Sequence, residues 1–479
     1  MEQLGGQDAS FVYLETPRMP MHIGSINVYD QSTAPGGVVR FKQILETVES
    51  RLHLARAFRQ RLARVPMELD YPYWINDPAF DLEFHVRHIA LPKPGDWRPL
   101  CIQAARLHSR MLDLSRPLWE FYVIEGLDRV AGLPEGTYAL LTKIHHAAIH
   151  GATGTEITSL LHDLRPEGSV HKPDRQWIAD APPTALELMV RTYGNNIRQP
   201  FRLLKVLSEA VPAVAETRRR LARDELHGAG PAPRTLFNAR VSPHRVFEGR
   251  DFPLDALRRI RRAVPGCTIN DVVIAICGGG IRRYLDHRGA LPESSLIAAA
   301  PVNVRREEER GAGGNQVSSM FVAIRTDIPG ALERLHAVHE HTRQAKELVN
   351  AFGARLMTDI NQHIPAATLA LAGRLVTQMG LANVVRPFAN CVITNVPGPQ
   401  VPLYMNGARL VTQYGLGPVT DAIGLFIPVL SYDGHLTISF ASCREMVPDP
   451  DRLADGFVAS FEEMQAEAES ALASGAAAG

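Results

Sequence analysis

The sequence predicts an α/β protein made of two sandwiches, and three observations carry that expectation. A chain of 479 residues is too long for one ordinary core, so two domains of roughly 200 residues are the natural division. Short apolar or alternating runs, which read as strands, intersperse with 3.6-periodic runs, which read as helices, in both halves. Between about 166 and 234 the character changes. A polar loop starts at Pro166, 186–215 alternates apolar and basic residues, and Gly228-Ala229-Gly230-Pro231-Ala232-Pro233 closes the stretch. The expected division is an N-terminal domain over 1–180, a helical linker over 181–233 and a C-terminal domain over 234–479.

In the first half, Ile23 to Tyr29 alternates like a strand. Phe41, Ile44, Leu45, Val48 and Leu52 lie on one face of an amphipathic helix. Phe84 to Ile89 alternates again, 100–112 is helical, and Phe121 to Ile124 is a strand. The turn Gly132-Leu133-Pro134-Glu135-Gly136 then returns the chain into Thr137 to Ile144, giving an antiparallel hairpin. In the second half, 255–264 and the stretch starting at Thr268-Ile269-Asn270-Asp271 are helical, with Thr268 or Asn270 as cap. The triplet Gly278-Gly279-Gly280 lies inside that apolar helical pattern with no following Lys-Ser/Thr. Close helix packing is therefore expected, and a phosphate loop is not. Strands are expected at 296–304, 317–324, 391–395, 422–430 and 436–441. Helices are expected at 331–350, at 366–388 and from Pro450.

Lysine plus arginine equals aspartate plus glutamate at 51 each, so no global field attracts nucleic acid, and none is expected as a partner. Five scattered cysteines without a CxxC pair point to a reducing compartment and away from a zinc ribbon. The opening residues lack the basic start and apolar run of a signal peptide, and no window of about 18 apolar residues is free of charge. A cytoplasmic protein is expected, peripheral at most to the inner membrane or lipid droplets.

The hairpin ends in Lys143-Ile144-His145-His146-Ala147-Ala148-Ile149-His150-Gly151, which places two adjacent histidines at a strand-to-helix corner. A histidine at a strand end can take a proton from an alcohol near neutral pH, because its ordinary pKa is about 6.5. Adjacent strand residues point to opposite faces, so one histidine would be the base and the other structural. His145 or His146 together with His150 resembles the i, i+4 histidine pair of zinc sites. The glutamate of an HExxH helix is missing, however, and no metal is expected.

The corner resembles the HHxxxDG motif of the bacterial wax ester synthase/diacylglycerol acyltransferase family, relatives of the chloramphenicol acetyltransferase-like CoA-dependent acyltransferases. Further similar blocks follow in family order. They are Gln7-Asp8-Ala9-Ser10-Phe11, Glu15, Pro20 to Gly24, Arg116-Pro117-Leu118-Trp119-Glu120, Thr268 to Val273, Pro301 to Arg305, Gly314-Asn315 and Asn395 to Pro399 with Pro402-Leu403-Tyr404. The actinobacterial branch that makes storage triacylglycerol is the nearest resemblance. It implies two chloramphenicol acetyltransferase-like sandwich domains with mixed, largely antiparallel sheets and a tunnel between them. Long-chain acyl-CoA would be a co-substrate rather than a bound cofactor, and diacylglycerol or a long-chain alcohol the acceptor. His146 would be the general base, acting without an acyl-enzyme, with His145 beside it. Asn270 would donate to the oxyanion, and Glu15, Trp119 and Asn315 would bind substrate.

The sequence departs from the motif at one position, where His150 stands in place of the aspartate, next to Gly151. In the family that carboxylate is mainly architectural and pairs with an arginine, for which Arg305 is the positional candidate. A histidine cannot supply the anion. Retained acyl transfer is expected, against the alternative of a weak or silent lipid- or acyl-CoA-binding relative.

Overall fold

The structure is a computed structural model and describes residues 1–149, 158, 160–168, 179, 181–197, 219–220, 223, 228–303, 317–352 and 386–477. Among these, 15 strands form three sheets. The first is six-stranded, built from β2 (His22–Asp30), β5 (Val86–Ala90), β6 (Trp119–Leu127), β7 (Thr137–His145), β12 (Tyr404–Met405) and β13 (Ala408–Leu416), in the order β12-β13-β2-β7-β6-β5. The second has β8 (Arg245–Pro253), β9 (Ile297–Asn303), β10 (Val317–Ala323), β11 (Cys391–Pro397), β14 (Leu425–Tyr432) and β15 (His435–Cys443), in the order β10-β9-β11-β14-β15-β8. A small third sheet joins β1 (Glu2–Gln3), β4 (Tyr73–Asn76) and β3 (Gln60–Ala63). Both large sheets are mixed and mainly antiparallel. Only β5·β6, β11·β14 and β11·β9 run parallel.

Among the described residues, the helices of nine residues or more are α1 (Gly6–Leu14), α2 (Phe41–Arg51), α3 (Trp97–His108), α4 (185–197), α5 (Leu254–Arg262), α6 (Ile269–His287), α7 (Ala331–Phe352) and α8 (Pro450–Ala477). The expected hairpin is present, with β6 and β7 antiparallel and Trp119 opposite Ile144. Thr268, rather than Asn270, caps α6: its hydroxyl accepts the Asp271 N–H, and Asp271 returns a carboxylate oxygen to the Thr268 N–H. The glycine triplet packs α6 against its neighbours. A Cβ on Gly278 would lie 2.0 Å from the Ile324 carbonyl oxygen, and one on Gly280 2.3 Å from Phe457.

Three strands that position the site were not foreseen. β8 and the pair β12–β13 carry no clean alternation, because both faces of β13 are covered. One edge pairs with β2, while Thr437 and Ser439 of β15 donate hydroxyls to its carbonyls at Gln413 (2.6 Å) and Gly415 (2.9 Å). From Thr412 to Leu416 every residue of β13 is buried, and a strand covered on both faces loses the period-2 signal. The consequence for domain organisation is direct. Residues 404–416 belong to the first sheet, so a cut at 234 describes the chain order but not the sheets.

The largest apolar core lies in the second half, around a completely buried run from Val272 to Cys277 on α6. Two further cores lie on the faces of the first sheet. Helix α1 sits between the halves. Its Ala9 and Val12 belong to a first-half core, whereas Phe11 and Leu14 pack against the second-half core. That straddling position follows from apolar residues on two faces of one short helix, and it sets the geometry of the histidine corner.

Candidate active site

Strand β7 ends at His145, where the chain turns into the 3-10 turn His146–Ala148. The turn is tied on both sides. The His145 N–H donates to the Leu118 carbonyl (2.9 Å) and the His146 N–H to the Met21 carbonyl (2.8 Å). Next in the chain of contacts, Met21 donates its own N–H to Glu15 Oε1 (3.0 Å). The backbone of the corner is thus fixed by the residues at the two ends of the loop that leads from α1 to β2.

His145 and His146 point to different surroundings, as the alternation of a strand requires. His145 is fully buried, and its Nδ1 accepts the Ala147 N–H at 3.1 Å. That bond assigns the proton of the neutral ring to Nε2, which faces Glu15 Oε2 at 3.6 Å. The Glu15 side chain is 1% exposed. It therefore braces the corner from beneath, through Met21 and beside His145.

His146 is partly open and lies flat against Phe11, with ring centroids 3.8 Å apart and an interplanar angle of 18°. Its Nδ1 is buried without a hydrogen-bond partner among the described residues. Burial pushes the imidazole down to about 4, and the negative charge of Asp8 works in the opposite direction. At neutral pH His146 is therefore an uncharged acceptor, and the charge of Asp8 works to favour its protonated form. Asp8 and Phe11 lie at i and i+3 on α1 beside His146, while Glu15, the first residue after the helix, faces His145.

The other sequence-predicted residues divide into three groups. Asn270 lies in the first turn of α6 and accepts a hydrogen bond from Asn395 Nδ2 at 3.4 Å, which brings together two of the blocks noted in the sequence. Trp119 is 1% exposed, donates its indole N–H to the Phe58 carbonyl at 3.0 Å and stacks on His85. Its place is in the core and not on a surface that a substrate would touch, which corrects the expected binding role. His150, Gly151, Arg305 and Asn315 lie outside the described residues, as does nearly all of the expected helix at 366–388.

Sequence reasoning passed over Phe11 and Asp8 as site residues, since they entered only as part of a block that resembles the family. It also missed Lys143, which is fully buried and pairs with Glu120 at 3.5 Å two residues before His145. Elsewhere among the described residues, Cys267, Asp271 and His339 hold ligand-type atoms within 4.8 Å of one another. There Asp271 Oδ2 already accepts from the Thr268 N–H and from His339 Nδ1 at 3.0 Å, so the cluster reads as a hydrogen-bonded helix cap. No helix among the described residues is long and apolar enough to cross a membrane.

Comparison with known proteins agrees with this arrangement. Residues 4–273 match the wax ester synthase/diacylglycerol acyltransferase catalytic domain, and residues 313–465 match the WS/DGAT C-terminal domain. A Mycobacterium tuberculosis protein that carries the provisional name diacylglycerol O-acyltransferase is 33% identical over 466 residues, covering 97% of this chain and 90% of its own. The solved wax ester synthase/diacylglycerol acyltransferase of Marinobacter aquaeolei is 28% identical, with a TM-score of 0.68 over 98% of this chain and 100% of that one. A trichothecene 15-O-acetyltransferase of Fusarium sporotrichioides, 12% identical with a TM-score of 0.58 over 97% of this chain and 94% of that one, shares the fold alone. With two sandwich domains, a histidine corner held between them and both family domains matched in order, this chain is an acyltransferase and belongs to the wax ester synthase/diacylglycerol acyltransferase family.

Proposed function

We propose that the protein moves a long-chain acyl group from CoA to the free hydroxyl of diacylglycerol, forming triacylglycerol, with His146 as the base. The observation that carries this reading is the uncharged, partly open imidazole of His146, held flat on Phe11 with Asp8 one turn away. The acceptor hydroxyl gives its proton to His146 as its oxygen attacks the thioester carbonyl. The carbon–sulfur bond then breaks, the CoA thiolate takes the proton back, and the ester leaves without an acyl-enzyme. While the imidazolium exists, Asp8 offsets part of its burial cost. Asn270, anchored by Asn395, is the proposed donor to the developing oxyanion. His145 and Glu15 hold the corner in register. A long-chain alcohol in place of diacylglycerol would give a wax ester by the same steps.

General-base assistance of this type contributes roughly 10²- to 10⁴-fold. Purified protein given palmitoyl-CoA with either diolein or hexadecanol should release CoA and form the corresponding ester, and His146→Ala should lower turnover by roughly that factor. Wild-type release no faster than that of His146→Ala would overturn the reading. It would favour a silent acyl-CoA-binding relative, the outcome that His150 in the aspartate position makes worth testing alongside His150→Asp.

A further inference from the structure

Lys143 takes no part in the chemistry above, yet it is fully buried two residues before His145. The two side chains lie on the same face of β7. Across the sheet, Glu120 of β6 stands opposite Lys143 and His22 of β2 stands opposite His145, so a polar row crosses the strands behind the corner. As a fastening for the fold the lysine is poorly made. The only hydrogen-bond partner of its side chain among the described residues is Glu120 Oε2 at 3.5 Å, well beyond the roughly 2.7–2.9 Å of a charge-assisted bond. That oxygen is already held by the Tyr122 hydroxyl at 2.7 Å, and Arg87 reaches Oε1 at 3.5 Å. A buried ammonium with one long contact costs the fold more than an apolar side chain of similar length would.

What the ammonium offers instead is charge beside a second carboxylate. We propose that Lys143 is a positioning residue for acyl transfer, whose positive charge holds the buried Glu15 carboxylate against Met21 and His145 and so fixes the backbone from which His146 works. The proposal rests on the His146 base inferred above. Burial pushes the Lys143 ammonium down, while Glu120 and then Glu15 push it back up, and the attraction between two charges acts equally on both. The other cations near Glu15 are engaged or out in solvent. Of those lining the same cavity, Arg18 pairs with Asp421 and Arg64 with Glu68, and Arg240 is exposed. His145, whose Nδ1 accepts from Ala147, faces Glu15 with a neutral N–H and not with charge. Deprived of Lys143, Glu15 would be a carboxylate 1% exposed with no buried cation beside it among the described residues. Such a group is driven toward water, here into the cavity that it lines. The Met21 N–H would then lose its acceptor, and the Met21 carbonyl that receives the His146 N–H would shift with it.

The test uses the full chain with palmitoyl-CoA and diolein. Lys143→Met combined with Glu120→Gln removes both buried charges together, so the melting temperature should not fall. Its kcat should drop roughly 10- to 100-fold, as a slight misplacement of the base does, with KM for acyl-CoA changed little. Because the lysine acts through Glu15, Glu15→Gln should lower kcat as well, and adding the other two changes to it should cost little further. Amide exchange at Met21 should accelerate by at least ~10-fold in the folded double variant. Wild-type kcat in that variant would overturn the proposal, and so would losses that simply multiply when Glu15→Gln is added. A lowered melting temperature would make the pair a fastening of the fold and overturn it too. Exchange is read without turnover. If the wild type releases no CoA the acyl-transfer reading fails by itself, and unchanged exchange at Met21 would separately show that Lys143 does not hold the corner.

Discussion

Phe11 and His146 lie face to face with their ring centroids 3.8 Å apart, although one belongs to α1 and the other to the turn after β7. Because Phe11 also packs against the second-half core, the plane of the proposed base is set by contact between the two halves of the molecule. A misplacement of the order of 1 Å can cost about 10²-fold in rate. Phe11→Leu should therefore lower kcat by roughly 10- to 100-fold while changing KM for acyl-CoA little. A steady-state comparison on protein of unchanged melting temperature checks this, and a pure KM effect would assign Phe11 to binding instead.

The pH dependence follows from the direction in which His146 is shifted. Burial lowers it to about 4, so the neutral form dominates at all higher pH. In the free enzyme kcat/KM should consequently show no falling limb between pH 8 and 5.5. A limb centred near 6.5 would mean that the base titrates as in water. Asp8→Asn removes the charge that raises the His146 pKa, so it should push the limb lower still and slow turnover.

Stability should respond to acid for the same physical reason, multiplied over several residues. His22, His85, His108, His146 and His162 are all lowered, with burial as the leading cause, His108 to about 3 and His162 to about 4. Below about 6.5 the unfolded chain binds protons that the folded chain refuses, so stability must fall as pH drops from 6.5 toward 4. For His162 alone the loss is on the order of 3 kcal/mol. Urea midpoints at pH 7.5, 6.5 and 5.5 should decline in that order. His162→Gln keeps a donor toward Thr158 and an acceptor toward Tyr29, so its decline should be shallower.

How much of this was legible in the sequence depends on whether a residue's neighbours in space are also its neighbours in the chain. The β6–β7 hairpin, the cap of α6 and the corner at His145 and His146 are local, and local patterns announce them. β13 is not local. It crosses to pair with β2, some 380 residues earlier (Gln413 opposite Asn27), and it is covered on both faces, so neither proximity nor alternation marks it. Phe11 escaped for a related reason, since no periodicity says which ring a distant turn will place against it. Trp119 misled because its block carries the family resemblance while its indole serves the core.

The glycine triplet offers a test of packing against phosphate binding. Alanine at Gly278 would bring a Cβ to 2.0 Å from a backbone oxygen that cannot move without shifting the end of β10. Overpacking of this kind costs about 1–3 kcal/mol or more. Gly278→Ala should lower the urea midpoint accordingly, with no effect on any nucleotide affinity. A variant as stable as the wild type would mean that α6 has slack against Ile324.

The buried pair of Arg51 and Asp163 offers a test of the strand exchange. Arg51, at the end of α2, is 2% exposed, donates to the Leu160 carbonyl at 3.2 Å and is neutralised by Asp163. The backbone of Asp163 in turn exchanges two 2.8 Å hydrogen bonds with Tyr404 in β12. The ion pair thus fastens the segment that follows the histidine corner to the strands donated by the second half. Removing one partner of such a pair costs about 3–5 kcal/mol, because the other charge stays buried and unmatched, whereas replacing both by apolar residues is often nearly neutral. Asp163→Asn should therefore lose most of that stability, and Arg51→Met combined with Asp163→Leu should regain it. Loosening should begin where β12 is held, so hydrogen exchange at Tyr404 in Asp163→Asn should accelerate well before exchange in α6. Equal acceleration at both places would show that the pair supports the whole fold and not the exchanged strands in particular.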